Sequence, residues 1–134
     1  MGSVRASLRL TSSDVLTTAV DITTAASVTA DAGSVGRAKV LKTAVHNDAL
    51  VVYKADDKLV NANLYVKNLE IERENYVYIY NDTDSDALVA KIPGGEFAFI
   101  PVAVDKTYKV YATRVDSLVE FAVFGLDSSA VTLA

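Results

Sequence analysis

Apolar and polar residues alternate one by one in short runs along most of this chain. Every second residue of 3–11 is apolar or small, and in 76–80 two β-branched residues alternate with three tyrosines. A period of two is that of a β-strand, because successive side chains point to opposite faces of a sheet. We therefore expect two strands here. The first should be half-buried, with Arg5 and Arg9 facing away from the core.

The same pattern recurs in eight further runs, and turn-forming residues separate one run from the next. Short strands at a spacing of about 8 to 12 residues are typical of a sandwich or a barrel. We predict an all-β fold, an antiparallel β-sandwich of jelly-roll-like form with about 8 to 10 short strands and little helix. The eight further predicted strands are 15–20, 37–44, 50–54, 59–66, 88–92, 96–101, 108–114 and 118–124.

Two stretches are ambiguous at this level. Residues 67–75 tolerate a helix, although a period of two fits them as well. Residues 21–36 are rich in Thr, Ala and Ser and contain two glycines. Three interpretations stay open for them: a weak strand, a surface loop or a partner-binding arm.

Composition indicates a folded protein and removes several chemistries. Apolar residues fill 51% of the 134 positions and the net charge is −4, so a single domain spanning 1–134 is expected. The absence of cysteine excludes zinc–thiolate sites, iron–sulfur clusters and thiol catalysis. A pI of about 4.9 argues against nucleic acid as a partner, and no apolar run is long enough to suggest a membrane.

Charge is distributed unevenly along the chain. Residues 1–46 are rich in Ser and Thr and carry five basic against three acidic residues, a balance of +2. Residues 47–134 carry eight basic against fourteen acidic residues, a balance of −6. We interpret the two parts as differently charged faces of one sandwich domain. Contact between the N-terminal part and an acidic partner is the alternative.

His46 is the single histidine of the chain. One chain therefore cannot build a Ser–His–Asp triad or a multi-histidine metal site. We predict a structural histidine, with a pH-sensitive contact or catalysis as the alternatives. No catalytic residue and no cofactor are predicted, and we expect that the protein is not an enzyme.

Three carboxylates recur at every second position of 81–86, as in a calcium-binding loop. Such a loop needs a glycine at its sixth position and a glutamate at its twelfth, and Ala87 and Pro93 stand there instead. Asp and Asn side chains also bond to their own backbone in turns. We therefore predict a turn here and no metal site, with an adventitious cation site as the alternative.

Two glycines follow Pro93, and a strand resumes at once from Glu96. A phosphate-binding loop would require a helix at that point. Residues 93–95 are therefore predicted to form a hairpin turn, in which a glycine supplies the positive φ.

Tyr76, Tyr78 and Tyr80 are predicted to line one face of a strand. A stripe of this kind commonly packs on a neighbouring sheet or subunit, so we interpret the three as subunit-interface or packing residues. Sugar binding by the rings is the alternative. Stacking on nucleic acid bases would need a basic groove, whereas residues 47–134 are acidic.

Part of the chain also resembles a known family. An aromatic run at 76–81 ends in Asn, and it precedes an acidic turn, Ala-Lys-Ile at 90–92 and Gly-Gly-Glu-Phe-Ala-Phe-Ile-Pro at 94–101. Tyr-Lys-Val-Tyr-Ala at 108–112 and Leu-Val-Glu-Phe-Ala-Val-Phe at 118–124 complete the pattern. This order resembles small structural proteins of tailed-bacteriophage virions. One departure is that proline stands at Pro93, where the pattern places it at Gly94.

The resemblance implies a β-sandwich subunit of a phage particle, most like a capsid decoration (cement) protein on the outer surface of the head. It implies the major capsid protein as partner, a homo-oligomer with a trimer favoured, and synthesis in the host cytoplasm. The predicted capsid contacts are Arg5 and Arg9. A fibre, tail or other receptor- or glycan-binding virion component is the first alternative. A small β-sandwich enzyme or adhesion module with no phage connection is the second.

Overall fold

The structure is a computed structural model, and it describes residues 2–30, 32–42, 49–53, 59–81, 87–102 and 106–127. His46 and the acidic residues of 82–86 lie outside this part. Within it the chain forms ten β-strands and no helix, and hence no helix long and apolar enough to cross a membrane. The strands are β1 (Gly2–Ser12), β2 (Val20–Ala30), β3 (Ala32–Val40), β4 (Leu50–Tyr53), β5 (Leu59–Asn68), β6 (Val77–Asn81), β7 (Ala87–Ile92), β8 (Phe97–Pro101), β9 (Tyr108–Ala112) and β10 (Ser117–Asp127).

Eight of these strands form two four-stranded antiparallel sheets. Sheet I has the order β3-β10-β5-β8, and sheet II has the order β4-β9-β6-β7. The antiparallel pairs β3–β10, β4–β9, β5–β8 and β6–β7 are nested one inside the next along the chain, and they fall alternately into sheet I and sheet II. This nesting is the jelly-roll arrangement. The all-β antiparallel sandwich predicted from the alternation is therefore confirmed.

The core lies between sheets I and II. Val66 and Val119 project into it from sheet I, and Ile79 projects into it from sheet II. All three are fully buried, and on each strand the neighbouring side chains point to the outer face. Tyr53 and Tyr108 also belong to this cluster, with their ring centroids 6.4 Å apart.

The other two strands form an antiparallel hairpin of their own. β1 and β2 pair along their whole length, from Gly2 opposite Ala30 to Ser12 opposite Val20, as a separate two-stranded sheet. The strand predicted for 3–11 is thus confirmed. Its predicted half-burial is wrong at the outer end, because a two-stranded hairpin outside the sandwich has no second layer to cover it.

The strand predicted for 15–20 is wrong. Because Ser12 pairs with Val20, the residues between them make the hairpin connection instead. The Ser12 hydroxyl oxygen accepts hydrogen bonds from the backbone N–H groups of Asp14 and Val15, at 3.3 and 3.1 Å. A serine that bonds to nearby backbone in this way offers the chain an alternative to a strand ladder.

Both ambiguous stretches are extended or irregular. For 21–36 the strand interpretation is confirmed, since its described residues, 21–30 and 32–36, belong to β2 and β3. Their small Thr, Ala and Ser side chains explain why the alternation was faint. Residues 69–76 form an irregular loop after β5 and no helix.

The prediction for 93–95 is confirmed as a turn and wrong as a hairpin. The N–H of Glu96 donates to the carbonyl oxygen of Pro93 at 3.1 Å, and Gly95 has a φ of +86°. However, β7 pairs with β6 in sheet II, whereas β8 pairs with β5 in sheet I. The turn therefore carries the chain from one sheet to the other.

Candidate binding surfaces

One face of the β1–β2 hairpin is apolar. The register sets Leu10 opposite Ile22 and Leu8 opposite Thr24, so the apolar residues of both strands share one side. Leu8 is 38% exposed, Leu10 47% and Ile22 54%, whereas Ala30 beside the sandwich is buried. The exposure of this face therefore increases from the end beside the sandwich to the tip of the hairpin. This apolar hairpin face consists of Val4, Ala6, Leu8, Leu10, Ile22, Thr24, Ala26, Val28 and Ala30.

An open cleft of about 930 Å³ lies between the hairpin and the outer face of sheet I. Its hairpin side is lined by 24–26 and by 5–10, which include the polar residues Arg5, Ser7 and Arg9. Its opposite side is lined by the rings of Tyr65, Phe97 and Phe99 and by residues 95 and 96. Tyr65 pairs directly with Phe99, and Phe97 is two residues further along β8, so the three rings share one face of the sheet. Phe97 is 53% exposed. Both walls of this apolar cleft thus present apolar groups to solvent.

Arg5 and Arg9 lie on the polar face of the same hairpin, as predicted from the alternation. The Nε atom of Arg9 is 3.2 Å from Oδ1 of Asp21, and both side chains are exposed. Arg5 forms no ion pair with any described residue. An exposed ion pair contributes little to stability. Asp21 balances the charge of Arg9, whereas no described residue forms an ion pair with Arg5, the other predicted capsid contact.

A polar network lies on the outer face of sheet I beside the apolar cleft. The Tyr65 hydroxyl donates to Oε1 of Glu120 at 3.0 Å, and Nε of Arg37 donates to Oε2 at 3.0 Å. The hydrogen bond from Tyr65, followed by that from Arg37, holds the pKa of Glu120 below its usual value. Burial raises the pKa of Tyr65, and the hydrogen bond to Glu120 raises it further. Of these three residues Tyr65 lines the apolar cleft, and the hydrogen bond to Glu120 holds its hydroxyl in place.

The outer face of sheet II carries a tyrosine surface. Tyr78 and Tyr111 stand opposite each other on β6 and β9, and their rings stack with centroids 4.9 Å apart. Tyr80 meets Tyr111 edge to face at 5.2 Å. The ring centroids of Tyr76 and Tyr78 lie 6.5 Å apart, and the ammonium of Lys91 lies 4.1 Å from the centre of the Tyr76 ring. The predicted tyrosine stripe therefore shares one face.

The three predicted tyrosines differ in burial. Tyr80 is fully buried, whereas Tyr76 and Tyr78 are half-buried. A bulge in the β6–β7 pairing sets the exposed Leu88 opposite Tyr80. Tyr80 is thus a packing residue, and subunit contact by Tyr76 and Tyr78 stays a prediction.

The described residues contain no group of three or more His, Cys, Asp or Glu side chains that could hold a metal ion. The roles predicted for His46 and for 81–86 concern residues outside this part, except for Asn81 at the end of β6. What these surfaces offer chemically is area for contact: an apolar hairpin face, an apolar cleft and a tyrosine surface.

Sequence reasoning missed three features of these surfaces. The β1–β2 pairing had a signal, because apolar residues occupy the even positions of 4–10 and, apart from Thr24, those of 22–30. The stacking of Tyr111 on Tyr78 and the hydrogen bond between Tyr65 and Glu120 had none. Both join strands that are far apart in the chain, and alternation does not indicate which strands become neighbours.

Comparisons with known proteins identify no family for this chain. No protein-family model matches the sequence, and no curated protein matches it. Among solved structures, one similar chain comes from Bacillus endospore appendages, described as forming a novel family of disulfide-linked pili. The identity is 16%, the match covers 71% of this chain and 86% of that chain, and the TM-score is 0.49. A TM-score below 0.5 supports no conclusion about function, and this chain has no cysteine with which to form a disulfide.

Proposed function

We propose that this chain is a structural protein that acts by contact with copies of itself and with a larger assembly. The observation that carries the proposal is the apolar hairpin face, on which Leu8, Leu10 and Ile22 remain exposed. A two-stranded hairpin is marginally stable in water by itself, and a contiguous exposed apolar patch marks a site of protein contact. A partner that covers this face would stabilise the hairpin.

A finer proposal names the assembly. The resemblance of residues 76–125 to virion proteins supports a capsid decoration (cement) protein on the outer surface of a phage head. Its partner would be the major capsid protein, and it would act as a homo-oligomer with a trimer favoured, without cofactor or catalysis. Burying surface only in the assembled particle would stabilise the shell by mass action. The jelly roll is compatible with this role, because the fold is used in viral capsid domains.

Co-sedimentation with phage heads tests the finer proposal. The protein is expected to pellet with expanded, empty heads and to raise their melting temperature. Its absence from the pellet would contradict the capsid proposal and leave self-association to be judged separately.

The contribution of Arg5 is tested by charge reversal. Arg5→Glu is expected to weaken head binding more at low than at high salt, because the Debye length shrinks from about 30 Å at 0.01 M to about 10 Å at 0.1 M. Lys39→Glu is the matched control, since it makes the same charge change at an exposed position of sheet I. Equal losses in the two variants would dismiss Arg5 as a contact. Arg9 is less suitable, because a reversed charge there would repel Asp21.

A second candidate function rests on the tyrosine surface. Half-buried tyrosines on an open sheet face, with Lys91 beside Tyr76, can contact sugar rings. The jelly roll is also used in lectin domains. In this alternative the chain is a fibre, tail or other receptor-binding component.

Glycan-array binding tests this alternative. A positive array signal that Tyr78→Ala abolishes and Phe97→Ala preserves would favour it, because Phe97 lies on the opposite sheet. Absence of glycan binding, or loss of signal in both variants, would count against the tyrosine surface.

A further inference from the structure

The link between hairpin and sandwich restricts where the hairpin can lie on its own molecule. β2 ends at Ala30 and β3 begins at Ala32, so a single residue joins them. Two successive Cα–Cα steps span at most about 7 Å. Sheets packed face to face lie about 10 Å apart. The end of the hairpin beside the link therefore lies closer to its own sheet I than the normal packing distance of two sheets.

The exposure of the apolar hairpin face changes along its length. Next to the link the apolar hairpin face is covered, with Ala30 buried and Val28 half-buried. Towards the tip Leu10 and Ile22 are exposed, and so is Phe97 on the opposite wall of the apolar cleft. Both walls present apolar side chains that could pack against each other, yet within one chain these side chains remain exposed. A second copy of the chain carries the same two walls without the link between them.

The area involved indicates how copies would combine. The uncovered part of the hairpin is about seven residues long and two strands wide, or about 24 by 10 Å, which is about 240 Å². One docked hairpin would bury about 480 Å² over both surfaces, well below the roughly 1,000 Å² that a specific interface requires. If two copies exchange hairpins, the two docked hairpins together bury about 960 Å² over both copies, which is close to this threshold.

Resting on the proposed structural function, we infer that the apolar hairpin face docks on the outer face of sheet I of a second copy. Tyr65, Phe97 and Phe99 receive it, and every copy in the closed assembly gives one hairpin and receives one. This is an exchange of identical elements between copies, to which short connections are prone. The polar hairpin face, which carries Arg5, then points outward from the assembly.

Cross-linking between engineered cysteines tests the exchange, because the natural chain has none. Leu8→Cys and Phe97→Cys are prepared as separately tagged proteins, refolded together and treated with a short bis-maleimide. Ser7→Cys with Phe97→Cys is the matched control, since Ser7 neighbours Leu8 on the polar face. The expected result is a cross-linked pair of differently tagged chains, several-fold more abundant with Leu8→Cys than with Ser7→Cys.

The double variant Leu8→Cys/Phe97→Cys and the mass of the unmodified protein complete the test. The double variant is expected to form cross-links between chains. Cross-links confined within one chain, or equal yields from Leu8→Cys and Ser7→Cys, would overturn the exchange. An oligomeric protein that gives no cross-link overturns the hairpin contact and leaves the proposed structural function standing. A protein that light scattering shows to be monomeric at every concentration overturns both.

Discussion

At the scale of single residues, Asn68 holds together two connections on which the sandwich depends. Its side-chain Nδ2 donates to the carbonyl oxygens of Asn75 and Ile92, at 2.7 and 2.9 Å. Its Oδ1 accepts from the backbone N–H of Glu70 at 3.0 Å. Asn68 is fully buried, and its backbone bonds to residues 95 and 96 of the connection between β7 and β8, which we call the crossing turn. A buried amide satisfied in this way fixes the loop of 69–76 against the turn.

Replacing Asn68 is therefore expected to be costly. Asn68→Ala leaves buried carbonyl and N–H groups unpaired and should lower the free energy of unfolding by about 2 to 4 kcal/mol. Asn63→Ala on the same strand is the control, because its side chain bonds only near the surface, to the Asn61 carbonyl. It should cost no more than about 0.5 kcal/mol. Urea denaturation measures both, and equal effects would contradict the assigned role.

The Tyr65–Glu120 hydrogen bond predicts a pH dependence at each end of the scale. The pKa of Glu120 is lowered in the folded state, so its stabilisation is present above the unfolded value of about 4.3 and is lost as pH falls through the folded pKa. The pKa of Tyr65 is raised, so its stabilisation is present below about 10 and is lost as pH rises through the folded pKa.

Glu120→Gln separates the two causes, burial and the hydrogen bond to Glu120, that raise the pKa of Tyr65. Without the carboxylate, the pKa of Tyr65 should fall but remain above its ordinary value, because burial is the larger cause and persists. NMR titration of ring-labelled tyrosine follows this pKa, and Tyr65→Phe identifies the resonance. An unchanged Tyr65 pKa in Glu120→Gln would refute the hydrogen bond.

At the scale of elements, the crossing turn between β7 and β8 depends on two glycines for different reasons. A Cβ at Gly94 would lie 2.2 Å from the carbonyl oxygen of Glu72, which is backbone and cannot swing aside. A Cβ at Gly95 would meet nothing, but the φ of +86° strains any residue with a side chain.

Substitutions at the two glycines should therefore differ. Gly94→Ala should lower the free energy of unfolding by about 3 kcal/mol, because the backbone of the neighbouring loop must move. Gly95→Ala should cost about 1 to 2 kcal/mol, and Gly95→Asn less, because Asn tolerates this conformation better. Thermal or urea unfolding of the three variants gives the order, and a larger loss at Gly95 than at Gly94 would be inconsistent with this packing.

The elements also show what a single sequence can and cannot predict. Strands with large alternating residues, such as β6 and β9, were predicted close to their bounds because both faces are marked. The strand of 15–20 failed because a serine turn and the β1–β2 register outweigh local propensity. The turn at 93–95 was predicted locally, but its strands joined different sheets, since partners are chosen by long-range packing. The apolar cleft was missed for the same reason.

At the scale of the whole molecule, the hairpin lies outside the core that stabilises the sandwich. Every buried member of the core cluster lies at Val40 or beyond. A variant lacking residues 1–30 should therefore keep the sandwich. In dilute solution its melting temperature should match that of the complete chain, because little apolar area is lost from the core.

The melting temperatures of the complete chain and of the shortened variant should depend differently on protein concentration. The melting temperature of the complete chain should rise with concentration, because association stabilises only the folded state. That of the shortened variant should stay constant. Calorimetry over a range of concentrations makes the comparison, and parallel behaviour would show that the hairpin takes no part in association.

The account places function in contacts between chains, and sedimentation equilibrium of the complete protein tests this most directly. The predicted result is a mass that is a whole multiple of the 14.3 kDa chain, of two copies or more. Leu8→Lys combined with Ile22→Lys should return the mass to that of one chain, while Ser7→Lys on the polar face should not. A mass of 14.3 kDa for the natural sequence at every concentration measured would contradict the account.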